Sequence, residues 1–262
     1  MPDYFLLYLL VGAIAGLFAG LFGIGGGIIL VPFLSWIFSN QGIPPDIVMI
    51  LAIATSLATI IFTSISSVNA HHRHGAIQWN IVLLLAPAIL IGSLLGSLIA
   101  QYLGSVTLKS IFGVFLIIVS VQTGFQIKPK TQSLNLGKSL AAIAGMAIGV
   151  VSALLGIGGG TLTVPFLMKC KQPIRNAVAI SSACGLPIAA AGTLGYISLG
   201  WDIPGRPDWS LGYIYGPAFI GIVASSVLFA PLGAKLTHTL PTAQLKRMFA
   251  VFIFVAGCKL LS

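Results

Sequence analysis

The sequence predicts an all-α polytopic membrane protein made of two inverted repeats. Each repeat has one glycine-rich broken or re-entrant segment plus about three further transmembrane helices, eight to ten membrane segments in total. Three observations lead there: too few charges for a water-facing surface, one glycine motif written twice at matching positions, and cations that gather on one side of the predicted crossings. Residues 1–127 form the N-terminal transmembrane repeat, 128–137 a cytoplasmic linker and 138–262 the C-terminal transmembrane repeat.

Charge comes first because it sets the solvent. Hydrophobic residues make up 57% of the 262 and charged residues 6%, where a soluble globule carries about four times as many charges. Most of the chain therefore faces lipid or its own core. The 13 Lys and Arg against 4 acids are scattered one to three per loop, which is the pattern of a topology signal and not of a nucleic-acid patch. No nucleic acid is expected as a partner. Cys170, Cys184 and Cys258 have neither disulfide nor metal-ligand spacing, so free thiols, no metal site and no cofactor are expected. The start, MPDYFLLYLL, has an acid where a cleavable signal carries Lys or Arg, so the first segment is expected to stay.

The apolar runs fall at 4–22, 26–38, 46–69, 78–101, 107–126, 138–155, 158–168, 174–199, 211–235 and 243–261. A spanning helix needs about 20 residues, and two runs, 26–38 and 158–168, are too short. Each also contains a proline, Pro32 or Pro165. Read as one helix, 4–38 would extend about 50 Å at 1.5 Å per residue, too long for a single crossing. A break at the glycines resolves this.

Those glycines repeat. Shifted by 133 residues, GAIAGLFAGLFGIGGGIILVPFL (12–34) lies over GMAIGVVSALLGIGGGTLTVPFL (145–167), and LKSIFGVF (108–115) lies over LKRMFAVF (245–252) at a shift of 137. The chain is an internal duplication. If each glycine break turns the chain back, one face collects Arg73, Lys128, Lys130, Lys138, Lys169, Lys171, Arg175, Lys235, Lys246 and Arg247 with no acid. The other face then holds Lys109, Arg206 and Lys259 with Asp3, Asp46, Asp202 and Asp208. Short cytoplasmic loops are rich in Lys and Arg, so this scheme is adopted; it makes the repeats inverted, with both termini outside.

Inverted repeats with short, interrupted segments at matching positions point to a secondary transporter whose substrate site lies where the breaks meet. Glycine tolerates positive φ and leaves its main chain uncovered, so the N–H groups of Gly25, Gly26 and Gly27, and of Gly158, Gly159 and Gly160, can converge on an anion at a half-helix N-terminus. The outer glycines Gly12, Gly16, Gly145 and Gly149 have the spacing of close helix packing. No Asp, Glu, Lys or Arg falls in the middle of a predicted span, so dipoles and hydroxyls would hold the anion. Two half-helix termini supply about one elementary charge together, which suits a monoanion, or a dianion accompanied by a proton. The hydroxyls are Thr55 and Ser56 in one helix and Ser181 and Ser182 in its counterpart, with Thr59, Thr161 and Thr163 nearby. Hydroxyls in membrane helices also commonly bond back to their own i−4 carbonyl.

The NAHHRHG stretch, 69–75, ends a span on the cytoplasmic side. His71, His72 and His74 could titrate near neutral pH and relay a coupled proton, or simply supplement the positive interface. Asn69, one turn deeper, is the expected pore-facing group. WDIPGRPDW, 201–209, reads as an outer loop flanked by interfacial tryptophans.

Two copies of G-x-x-x-G-x₆-G-x-G-G-G-x₄-P-F-L, each followed by a hydroxyl-bearing helix, resemble the sulfite exporter TauE/SafE family, also called the 4-toluene sulfonate uptake permease (TSUP) family. The similarity covers nearly the whole chain. The family's glycine pattern maps onto Gly23, Gly25, Gly26, Gly27 and Pro32, and again onto Gly156, Gly158, Gly159, Gly160 and Pro165. Its hydroxyl pair maps onto Thr55 and Ser56, whereas the second copy has Ser181-Ser182 in place of Thr-Ser. The resemblance implies a multi-pass protein of the bacterial inner membrane that moves sulfite, thiosulfate or an organosulfonate by alternating access. It implies no catalytic activity. The rival classes are an anion channel and an intramembrane Ser-His hydrolase. A homodimer is a common assembly for carriers of this size.

Overall fold

A computed structural model of the chain describes residues 2–22, 25–125, 134, 136–236 and 242–261. Gly23 of the first glycine motif, His238 and most of the 128–137 linker lie outside the described residues. Helices dominate: α1 (Pro2–Phe22), α2 (Gly27–Asn40), α3 (Pro45–Arg73), α4 (Trp79–Gly124), α5 (Lys138–Leu155), α6 (Gly160–Lys169), α7 (Ile174–Leu199), α8 (Gly216–Leu236) and α9 (Thr242–Leu261). Four of them, α3, α4, α5 and α7, are long and apolar enough to cross a membrane. The architecture is that of an all-α membrane protein, with one two-strand exception.

That exception corrects the run predicted at 211–235. Ser210–Leu211 (β1) and Ile214–Tyr215 (β2) pair antiparallel, and α8 begins only at Gly216. The reason is local: Gly212 takes φ +58 between the strands, a turn that a continuing helix cannot make. The runs predicted at 78–101 and 107–126 also differ in form, since α4 is continuous except at Gly104, whose φ of 70° and ψ of 164° are open to glycine alone. At 46 residues α4 would extend about 69 Å if straight, over twice a bilayer's hydrocarbon core, so the bend at Gly104 makes it a helical hairpin.

The short segments are as short as the sequence requires. α2 has 14 residues and α6 has 10, and each keeps its proline, Pro32 or Pro165. α3 starts with proline at its first turn and Asp46 beside the helix's positive end, and finishes with His71, His72 and Arg73 at its negative end.

Contacts sort the helix ends into two groups. At what is termed the hairpin end, Tyr4 Oη donates to the Asn40 carbonyl at 3.3 Å, Ser105 Oγ donates to the Asp46 carbonyl at 2.7 Å, and Tyr213 N donates to the Tyr196 carbonyl at 3.2 Å. Lys259 near the end of α9 stands over the Trp36 ring at 5.7 Å. At the opposite, histidine end, Trp79 Nε1 donates to His72 Nδ1 at 3.4 Å and Leu134 N donates to the Lys169 carbonyl at 3.3 Å. Acids Asp46, Asp202 and Asp208 belong to the hairpin end, and Arg73, Lys169, Lys171 and Arg175 to the histidine end.

Glycine governs the two tightest helix pairs. On α1, Gly12 faces Ile222 and Ser225 of α8, and Gly16 faces Ser226, where an added Cβ would lie 2.8 Å from its Cα. On α5, Gly145 faces Leu85 and Ala88 of α4, while Gly149 faces Ile89 and Ser93. Contacts advance together along both members of each pair, so both run parallel. No hydrophobic force separates helix from lipid, so such backbone approach is what holds apolar helices together.

Candidate functional site

The two glycine breaks touch each other. A Cβ built on Gly25 would stand 3.2 Å from the Gly158 Cα, and one built on Gly27 would stand 2.9 Å from the Ile157 Cα. Gly25 and Gly26 both have φ +77, and Gly156 has φ +63, so each break depends on backbone shapes that other residues adopt at a cost. The opposed main chains meet a cavity of about 580 Å³. Gly25 and Gly158–Gly160 line its deep end, and exposed His74 and Arg175 line its mouth at the histidine end.

The breaks meet that cavity unequally. Among the described residues of the first break only Gly25 lines it; Gly26 packs toward Ala15 and Ala19, and Gly27 packs on Gly156. The second repeat presents all three glycines of its motif's end. α6 begins there with no side-chain cap, so its first N–H groups have no partner within the helix and point along the axis into this region. Three hydroxyls around that terminus are buried without a hydrogen-bond partner: Thr161, Thr163 and Ser181. Of the three only Ser181 lines the cavity, and Thr161 and Thr163 lie behind its wall; a buried hydroxyl left unpaired costs about 1–3 kcal/mol, and an anion beside Ser181 would satisfy that one.

The other predicted hydroxyls divide by role. Ser182 lines the cavity, donates to the Val178 carbonyl at 3.0 Å and accepts from Ser67 Oγ at 3.2 Å. Thr55 and Ser56 are fully buried and do not line it. Ser56 Oγ instead donates to the Gly156 carbonyl at 2.8 Å, fastening α3 to the second break. Thr55 Oγ1 accepts from the Tyr215 N–H at 3.1 Å, fastening α3 to the β-hairpin. Thr59 Oγ1 turns back onto the Ser56 carbonyl at 2.7 Å. Asn69 is exposed and does not line the cavity, whereas Ala70 does. The histidines separate likewise: His71 and His74 line the mouth, and His72 faces Trp79.

Residues the sequence reading passed over complete the wall. Thr63, Ser64, Ser66 and Ser67 of α3 face the cavity, opposite Gly185 and Val178 of α7. A signal for them exists in the numbering. Positions 63, 66, 67, 70, 71 and 74 recur at three- and four-residue spacing, as do 175, 178, 181, 182 and 185, the period of one helix face. Gly185 is small because Ser64 faces it, its Oγ 2.9 Å from where a Cβ would stand.

Toward the hairpin end lies a cluster of aromatic rings, none of which lines the cavity. Tyr8, Phe38 and Tyr215 pack edge to face, with ring centroids 5.6–6.4 Å apart. Tyr213 and Tyr215 are buried, and burial raises both phenols above their usual range, so they stay neutral. Beyond this cluster a second depression of about 870 Å³ opens among Tyr4, Tyr8, Asn40, Gln41 and Asp208.

Among the described residues no three His, Cys or acidic side chains converge as metal ligands.

Ser181→Ala tests the cradle directly. Deleting an unpaired hydroxyl is expected to leave thermal stability in detergent unchanged or slightly raised. The same variant is expected to lose about ten- to a hundredfold in anion affinity, the equivalent of one hydrogen bond to a charged group. Paired melting curves with and without thiosulfate measure both. Equal stabilisation of variant and wild type by thiosulfate would remove Ser181 from the site.

Comparison with known proteins follows the same outline. The profile of the family "Sulfite exporter TauE/SafE" matches residues 8–260. A Haemophilus influenzae protein named "Probable membrane transporter protein" is 38% identical over 98% of this chain and 98% of its own. Proteins bearing the same description are 29% identical in Methanocaldococcus jannaschii, over 96% of this chain and 93% of theirs, and 26% identical in Bacillus subtilis, over 98% and 97%. No solved structure matches.

Proposed function

Because the chain belongs to the sulfite exporter TauE/SafE family, we propose that it is a secondary transporter that carries a small sulfur-containing anion across the bacterial inner membrane by alternating access. The substrate class is sulfite, thiosulfate or an organosulfonate. The observation that carries this reading is the meeting of two glycine breaks at the blind end of a one-sided cavity, beside unpartnered buried hydroxyls.

Inverted repeats are supported by the direction of equivalent helices. α1 begins at the hairpin end, and α5, its counterpart by sequence, begins at the histidine end beside Leu134. Each packs in parallel on a helix of the other half through equivalent glycines, Gly12 and Gly16 or Gly145 and Gly149. Such a reciprocal exchange is what a two-fold axis in the membrane plane produces. The cations of the histidine end make it the cytoplasmic face. Both termini are then outside, and the cavity is open inward.

Alternating access follows from the asymmetry. An inward cavity reaches the breaks, while the tyrosine plug separates them from the outer depression. Rocking of one half against the other would exchange which side is plugged. A substrate held by N–H dipoles and hydroxyls, with no buried cation to hold it permanently, can leave as readily as it enters.

The test is uptake of labelled thiosulfate, sulfite and short sulfonates into proteoliposomes. Saturable flux with counterflow is expected for at least one of them. Flux that rises without saturation would make the protein a channel. Absence of flux and of binding for every one of them would overturn the anion reading.

A further inference from the structure

The inner mouth of the cavity carries charge of one sign. Arg175, the second residue of α7, lines the wall together with His71 and His74 from the end of α3. His71 lies within electrostatic range of both. Among the described residues no acidic side chain lines this cavity. The outer depression is the reverse, with Asp208 among its walls and, among the described residues, no Lys or Arg. Among the described residues, the lining between the mouth and the glycine breaks is hydroxyls and apolar groups, such as Ser67, Ser182 and Val178.

We infer that Arg175 is the specificity-determining residue of the inner mouth, drawing anions from the cytoplasm into the hydroxyl-lined passage and holding cations out. The inference rests on the anion-carrier reading and extends it, because it makes the carrier electrostatically lopsided. A guanidinium stays charged at every physiological pH, and a concave, partly apolar wall focuses its field into the opening. The anion then travels from a full charge at the mouth to partial charges at the α6 terminus, so capture and final binding are separate steps. A cation placed at the mouth speeds entry without deepening the resting site. Bare interfacial duty, the ordinary role of an arginine near the cytoplasmic surface, would leave the passage's ion preference untouched.

A reporter thiol reads this without any substrate. In a Cys258→Ser background, which removes the exposed native thiol and leaves buried Cys170 and Cys184, Ser67→Cys places a thiol in the passage. Inside-out vesicles are treated with anionic sulfonatoethyl methanethiosulfonate or with cationic trimethylammonioethyl methanethiosulfonate, and the two rates are compared. Their ratio cancels any change in the thiol's own reactivity.

The ratio is expected to favour the anion and to fall by at least about fivefold in Arg175→Gln at 0.01 M salt, because one charge at roughly 8 Å shifts each reagent by about two- to thirtyfold and the two reagents in opposite directions. Arg175→Lys keeps the charge and should keep the ratio. At 1 M salt, where the Debye length shrinks from about 30 Å to about 3 Å, wild type and Arg175→Gln should converge. An unchanged ratio in Arg175→Gln at low salt overturns the proposal, and so does a wild-type ratio insensitive to salt. Should Ser67→Cys fail to insert, Ala70→Cys at the mouth serves instead, and lack of labelling of both from the inner face also overturns it. Thiosulfate uptake by the parent protein bears on the carrier reading alone, so the two can fail separately.

Discussion

Gly159→Ala is expected to lower transport of the anion by at least about tenfold in a protein that still inserts, with a local shift of the α6 or α7 main chain. Its φ of −56° suits any residue, so no backbone strain arises at this position. The effect comes from what the methyl would fill. A Cβ there would lie 2.9 Å from the Ser181 carbonyl, 3.3 Å from Thr163 Oγ1 and 3.4 Å from the Gly185 N. That is the space between the α6 terminus and the unpaired hydroxyls. Gly26→Ala is the control from the other break. Gly26 has φ +77 and does not line the cavity, so alanine there costs about 1–2 kcal/mol in backbone strain. It should lower the melting temperature and leave the affinity of the surviving protein near wild type. Uptake kinetics and melting curves for the two variants separate a binding glycine from a conformational one. Wild-type uptake by Gly159→Ala would detach the α6 terminus from the substrate.

Tyr215→Ala is expected to open the outer side. The ring contacts both Tyr8 and Phe38, while its N–H fixes the hairpin to Thr55. Truncation removes the ring from the plug and leaves the main-chain bond in place. Losing a buried aromatic ring from a packed core costs about 3–5 kcal/mol, reduced wherever the outer depression's water can fill the gap. A membrane-impermeant thiol reagent applied from outside should then reach Ser67→Cys at least about tenfold faster than in the parent. Equal rates would show that closure lies elsewhere.

Much of this fold is legible in the sequence, and the reasons are physical. Membrane helices announce themselves by composition, and the breaks at 23–27 and 156–160 stand out because glycine runs are rare inside apolar spans. Periodicity could not foresee the hairpin at 210–215, since two-residue strands leave no alternation to detect. The same limit hid the roles of Thr55 and Ser56. Their type identified them as hydrogen-bonding groups, but only packing turns them toward Tyr215 N and the Gly156 carbonyl. Ser181, one helix away and chemically similar, is left unpaired at the cavity. The stripe from Thr63 to His74 becomes visible only once α3 is read as one face, and Arg175 reads in the sequence as a topology charge alone.

The reciprocal clasp of α1 by α8 and of α5 by α4 bears on how the chain matures. The glycine stripe of α1 is among the first segments synthesised, yet the surface it fits lies at Ile222, Ser225 and Ser226, some two hundred residues later. Until α8 is inserted, α1 can rest only against lipid or temporary neighbours, and neither half can complete its own interior. Native structure must therefore be reached late and all at once, with a long search in sequence distance before the closing contact. A gene fragment encoding one half should yield protein that reaches the bilayer and is degraded there, while co-expressed halves should rescue each other.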